Sequence, residues 1–244
     1  TLRRDGSSRF GPDNKYATFP SVAVSWKMKE ESFLKNSKVI SDLKLRLGYG
    51  ITGQQDGIGN YAFLSTYSLG GQNSLTQFGN TYYNTYAPSG FYPDLKWEQT
   101  TGYNIGVDYG FINNRISGSV DVYLKRTKDL LNSVSQPAGT NFSAYVLANV
   151  GNMDNKGVEF NLNLVPVKSK NLTWDVNLNA TYNKNTITNL TVVPKDLNYP
   201  GAPGGGADGV NGPIQLSQVG YAKNTFNLYH QIYDVNGQPI EGLF

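Results

Sequence analysis

The 244-residue chain offers few groups able to carry covalent chemistry. It has no cysteine, which excludes disulfide scaffolds, thiolate zinc sites, iron–sulfur clusters and a thiol nucleophile. Its single histidine, His230, has no nucleophile and orienting acid placed around it by any sequence pattern. Asp108, Asp121, Glu159 and Asp175 could be paired as acid and base for glycoside hydrolysis, but nothing in their spacing sets the separation which that chemistry needs. Asp234-Val235-Asn236-Gly237 has the opening of a calcium loop, yet Glu241 comes too early to be its bidentate ligand. Gly204-Gly205-Gly206 is not followed by Gly-Lys-Ser/Thr, so it is no phosphate cradle. Asn141-Phe142-Ser143, Asn171-Leu172-Thr173 and Asn189-Leu190-Thr191 match glycosylation acceptors, as chance allows in so Asn-rich a chain. No enzyme, cofactor or metal is expected. What remains is binding chemistry. The segment 54–95 holds Tyr61, Phe63, Tyr67 and Phe78 together with Tyr82, Tyr83, Tyr86, Phe91 and Tyr92. The last five are the candidate substrate contacts: aromatic faces stack on the C–H faces of sugars, tyrosine hydroxyls add hydrogen bonds, and peptides use similar surfaces. Rings of this kind also pack a loop against itself or against a partner.

Such a segment has to be positioned, and the rest of the chain states how. Apolar residues recur every second position. Leu43, Leu45, Leu47, Tyr49 and Ile51 alternate with Lys44, Arg46, Gly48 and Gly50; Tyr103, Ile105, Val107, Tyr109 and Phe111 alternate with Asn104, Gly106, Asp108 and Gly110. Ile116–Lys125, Val158–Leu164 and Leu172–Tyr182 repeat the pattern, and Pro20–Met28 does so more weakly. A period of two means strands with one apolar and one polar face. The expected fold is all-β, an antiparallel up-and-down meander. Asn113-Asn114 predicts a two-residue hairpin turn and Pro166–Asn171 another short link. The Gly/Asn/Tyr-rich stretches 54–95, 132–152 and 192–223 are long connections at the opposite end, and Glu30–Lys35 predicts a helical turn on the short-link side.

Two solvents produce this alternation. In a soluble sandwich the apolar face packs on a second sheet; in an outer-membrane barrel it meets lipid while the polar face lines a wet lumen. Strand length favours the barrel: Trp174 to Tyr182, tilted about 40°, covers roughly 20 Å of an apolar band about 25 Å tall. Trp26, Phe111, Trp174 and Tyr182 near the strand ends suit aromatic girdles. The alternative is a β-sandwich carbohydrate-binding module. A formal charge of +3, spread along the chain, is too weak and diffuse for nucleic acid.

Beyond pattern, particular words stand in order: Leu2-Arg3-Arg4-Asp5-Gly6-Ser7-Ser8-Arg9-Phe10-Gly11, Phe19-Pro20-Ser21, Leu43-Lys44-Leu45-Arg46-Leu47-Gly48-Tyr49-Gly50-Ile51-Thr52-Gly53, Leu95-Lys96-Trp97-Glu98-Gln99-Thr100-Thr101, Asn113-Asn114-Arg115-Ile116, Lys128-Asp129-Leu130-Leu131, Asn149-Val150-Gly151-Asn152-Met153 and Asn155-Lys156-Gly157-Val158-Glu159. This run resembles the SusC/RagA-type TonB-dependent outer-membrane transporters. The resemblance implies that residues 1–244 are an incomplete segment of a large transmembrane β-barrel, 22-stranded in this family, with no plug domain in the segment. It implies localisation in the outer membrane of a Gram-negative bacterium. It further implies import of oligosaccharides or peptides, a SusD-like surface lipoprotein as partner, energy from the TonB complex, and 54–95, 132–152 and 192–223 as extracellular loops. The opening Thr1-Leu2-Arg3-Arg4-Asp5 has neither initiator Met nor hydrophobic region, in keeping with a segment of something longer.

Overall fold

The computed structural model describes residues 1–70, 74–192, 201–205, 213–228 and 232–240. Its frame is one seven-stranded antiparallel sheet, ordered as in the sequence. Four of its strands come from the first part of the chain: β1 (Leu2–Gly6), β2 (Tyr16–Lys27), β3 (Ile40–Gln54) and, after a long connection, β8 (Glu98–Phe111). Then follow β9 (Ile116–Ser135), β10 (Tyr145–Lys168) and β11 (Thr173–Asn189). The connection between β3 and β8 folds into two small ribbons, β4 (Tyr67–Leu69) with β7 (Tyr86–Pro88), and β5 (Leu75–Phe78) with β6 (Thr81–Asn84). Beyond β11 lies a small sheet of β12 (Ala202–Pro203), β13 (Gln215–Ser217) and β14 (Thr225–Phe226). The large sheet is open, with β1 and β11 as its edges.

The register turns the alternation into rows that run across the strands. On one face Val24 pairs with Leu47, Leu47 with Ile105, Ile105 with Val122, Val122 with Val158, and Val158 with Tyr182. The next row is Trp26, Leu45, Val107, Val120, Phe160 and Ala180. Among the described residues no second sheet covers these side chains. Val24 is 59% exposed, Ile105 55% and Val122 50%; Leu45, Val107 and Leu162 are only half-covered, by their neighbours in the sheet. A sandwich would bury this face between two sheets, so the carbohydrate-binding sandwich is ruled out.

The residues that are buried lie elsewhere. Phe10, Phe19, Ile58, Leu95 and Trp97 form a core at the long-link end of the sheet, with Phe10 and Phe19 rings 5.0 and 5.7 Å from Trp97. This core fastens the base of the 55–97 connection to β2 and β3.

Several expected boundaries move. Segment 132–152 is mostly strand: Tyr145 pairs with Ser135 and Ala148 with Asn132, leaving only 136–144 as a connection. Strict alternation fades there although Val146 and Ala148 are buried, and the backbone ladder continues; a bulge about Gly151 and a left-handed Asp129 (φ 60°) shift the pattern. The Asn113-Asn114 turn is a four-residue connection, since Phe111 pairs with Ile116 and Ile112, Asn113 and Asn114 are all left-handed (φ 52°, 54° and 59°). The second short link is 169–172, closed by Ser169 N–H donating to the Leu172 carbonyl at 2.8 Å. The helical turn near Glu30 forms: the Glu31 carbonyl accepts from Leu34 and Lys35 N–H, and the Lys29 ammonium caps the carbonyls of Leu34, Lys35 and Ser37. Trp26 and Trp174 stand exposed near strand ends, but Tyr182 does not end its strand; β11 runs on to Asn189, and the apolar face gives way to Lys184 instead.

Candidate functional site: the inner wall and the loop aromatics

The polar side chains project from the opposite, concave face, around an open hollow of about 1110 Å³ lined among others by Arg46, Asp121, Tyr123, Lys125 and Glu159. Register explains the cluster. Arg46 lies opposite Gly106, and Gly106 opposite Asp121. With no side chain at Gly106, the Arg46 guanidinium reaches across β8: an added Cβ would sit 2.7 Å from its Nη2 and 2.8 Å from its Cζ. From there Nη2 donates to Asp121 Oδ2 at 2.8 Å and Nε to Asp108 Oδ1 at 3.0 Å, while Lys44 Nζ reaches Asp108 Oδ2 at 2.7 Å. One guanidinium thus braces three strands through two carboxylates. Asp108 and Asp121 are both engaged by cations, which leaves them acceptors in a wall brace rather than a free acid and base. On β10 and β11 the inner wall is amide-rich, and Asn161 Nδ2 donates to Asn179 Oδ1 at 2.7 Å across the pair.

The five candidate contacts divide among three places. Tyr82 and Tyr83 stand on β6 at the tip of the 55–97 connection, 62% and 54% exposed, with Tyr83 edge-on to Phe78 at 6.0 Å. Tyr86, on β7, is also exposed. Phe91 and Tyr92 lie half-buried at the base. Asn141 clamps Phe91 at both ends, its Nδ2 donating to the Phe91 carbonyl at 2.8 Å and its Oδ1 accepting the Phe91 N–H at 3.3 Å. Tyr92 packs on the buried core, and its N–H donates to the Ala62 carbonyl. The backbone of both residues ties the loops together, and their rings keep a partly exposed surface. The structure adds Phe142, exposed on the 136–144 connection, with its ring 6.5 Å from both Tyr67 and Phe91. Sequence reading passed over Phe142 as part of a chance glycosylation match, and no local signal joins two loops fifty residues apart.

The remaining motifs resolve simply. Asp234 Oδ1 accepts the N–H groups of Gln238 and Asn236, both at 2.8 Å. These bonds, that of Gln238 foremost, hold its carboxyl below the ordinary aspartate range, as a turn does. His230 and Glu241 lie outside the described residues. Among the described residues no group of three or more potential ligands could hold a metal.

An open sheet with an uncovered apolar convex face, a charged concave face and its long aromatic connection at one end is the wall of an outer-membrane β-barrel. Comparison with known proteins names the kind. The model of the TonB dependent receptor-like β-barrel family matches residues 1–238, and the chain belongs to that family. It is 49% identical over 244 residues to the TonB-dependent receptor SusC of Bacteroides thetaiotaomicron, covering 100% of this chain and 24% of that one. It is 37% identical over 196 residues to the TonB-dependent receptor P39 of Formosa agariphila, covering 78% of this chain and 18% of that one. Among solved structures, the RagAB peptide transporter superposes with a TM-score of 0.75 at 27% identity, covering 98% of this chain and 26% of that one. The chain spans about a quarter of the length of the SusC protein it matches. Its place is the outer membrane of a Gram-negative bacterium.

Proposed function

We propose that the chain is part of the wall of a TonB-dependent importer that takes up oligosaccharides or peptides together with a SusD-like surface lipoprotein. The observation that carries the reading is the 49% identity to SusC over the whole chain, together with a sheet whose two faces suit lipid and a wet lumen. In this reading 55–97, 136–144 and the segment after β11 are extracellular. Tyr82, Tyr83 and Tyr86 present their rings to incoming substrate, while the concave face with Arg46, Lys125 and Glu159 lines the transport path. The TonB complex supplies the energy through parts of the parent protein outside this chain.

The test uses the full-length transporter in a bacterium lacking its own copy, with growth and uptake measured on single oligosaccharides and on peptides. Tyr82→Ala combined with Tyr83→Ala is expected to raise the half-saturating concentration of the true substrate class about fivefold to 150-fold, since each stacked ring is worth about 0.5–1.5 kcal/mol. Normal uptake of every substrate by this variant would remove the two tyrosines from the site. A parent protein that supports no uptake at all would overturn the reading.

A further inference from the structure

The apolar convex face ends at the long-link side in a row that does not look like the rest. Tyr49 pairs with Tyr103, Tyr103 with Leu124, Leu124 with Lys156, and Lys156 with Lys184. The two lysines are therefore directly opposite each other, both exposed, on the face whose previous row is Val122, Val158 and Tyr182. Like charges directly opposed across a sheet repel, and a sheet standing alone gains nothing from them. One row further on, Arg126 faces Asp154, and Lys128 follows two residues along β9 on the same side. Arg126 and Asp154 form only a loose pair, with Nε 3.9 Å from Oδ2 and both side chains well exposed. Asp154 is the one carboxylate in these rows, against four cations, and the surplus positive charge faces outward. It stands directly beyond the last apolar row, that of Val122, Val158 and Tyr182.

We propose that Lys156, Lys184, Arg126 and Lys128 form a binding patch for the phosphorylated headgroup of an outer-leaflet glycolipid. The patch is continuous with the lipid-facing band, so a ligand held there has acyl chains to lay along Val122, Val158 and Tyr182 while its phosphate sits between the paired lysines. A phosphomonoester brings close to two negative charges and three acceptor oxygens, which removes the Lys156–Lys184 repulsion and satisfies both ammonium groups. The long lysine stems reach along the sheet so that the charged ends meet the headgroup layer. A soluble phosphate has the charge but no purchase on the apolar rows, which is why the lipid is the assigned occupant. The inference rests on membrane placement and not on what the transporter imports.

The test is native mass spectrometry of the full-length transporter in non-ionic detergent, titrated with bisphosphorylated lipid A and with the same lipid stripped of phosphate. The wild type is expected to retain the phosphorylated form preferentially. Lys156→Gln with Lys184→Gln is expected to weaken that binding about 30-fold, from about 1 kcal/mol for each cation near a lipid phosphate, whereas Lys156→Arg with Lys184→Arg preserves it. Asp154→Asn, which removes the patch's carboxylate, should tighten binding, and it decides the matter by itself if the double glutamine variant fails to fold. Equal retention of the two lipids, no loss in the glutamine variant, no gain in Asp154→Asn, or displacement by millimolar inorganic phosphate would each overturn the proposal. Substrate uptake measured alongside separates this result from the import reading, because loss of lipid binding with uptake intact leaves that reading standing.

Discussion

Placing an arginine at successive depths along the convex face of β8 separates a lipid-facing wall from any water-facing sheet. The outward residues of this strand run Tyr103, Ile105, Val107, Tyr109 and Phe111. Eight residue steps at about 3.3 Å and a tilt of about 40° give roughly 20 Å of height, with Val107 at the centre. Ile105 then lies about 5 Å from the midplane and Tyr103 about 10 Å from it. Both are about half exposed in the isolated sheet, at 55% and 45%. In water, therefore, arginine at either position should change stability by no more than about 0.5 kcal/mol relative to alanine. In lipid the two differ: Ile105→Arg is expected to cost about 2–4 kcal/mol relative to Ile105→Ala, and Tyr103→Arg about 0–1 kcal/mol relative to Tyr103→Ala, because the longer reach to the headgroups is available only near the edge. The measurement is guanidinium unfolding of the full-length transporter in phospholipid vesicles, followed by tryptophan fluorescence, with Asn104→Arg on the concave face as the comparison that should show no depth penalty. A flat profile below about 0.5 kcal/mol at both convex positions would refute the assignment of this face to lipid.

Other consequences follow from the wall and the loops. Arg46→Ala strips Asp121 of its cation and leaves Asp108 with Lys44 alone; a loss of about 1–2 kcal/mol is expected, read as a lower unfolding midpoint, with a smaller loss for Arg46→Lys, which keeps the charge but cannot bridge both carboxylates. Gly106→Val puts atoms where the guanidinium and the Asp121 carboxylate lie and should destabilise by about 1–3 kcal/mol, a cost that Arg46→Ala relieves only in part because Asp121 still crowds the new side chain. Asn141→Ala removes both bonds to Phe91 and should speed proteolysis within 136–144 and around Phe91 while leaving the unfolding midpoint of the barrel unchanged.

The chain's residues fixed the period, and with it the all-β class, the strand order and which residues share a face. Leu47, Ile105 and Val122 fall in one cross-strand row because each obeys the same period-two rule. The same rule predicted strand lengths poorly for a physical reason: alternation marks the height over which one face meets lipid and the other water. β9, β10 and β11 continue past that height, where the backbone ladder runs on and the apolar residues that remain, Val146, Ala148 and Ile187, are buried rather than turned to lipid. Tertiary structure alone decided the rest. Opposing Lys156 to Lys184, laying Arg46 over Gly106 and bringing Phe142 beside Phe91 all depend on register and on bulges, which are set by pairing between strands far apart in the chain. The aromatic list of 54–95 was legible as composition, but a ring's availability depends on what covers it, and folding left Tyr82 and Tyr83 exposed and Phe91 and Tyr92 half-buried where the loops meet.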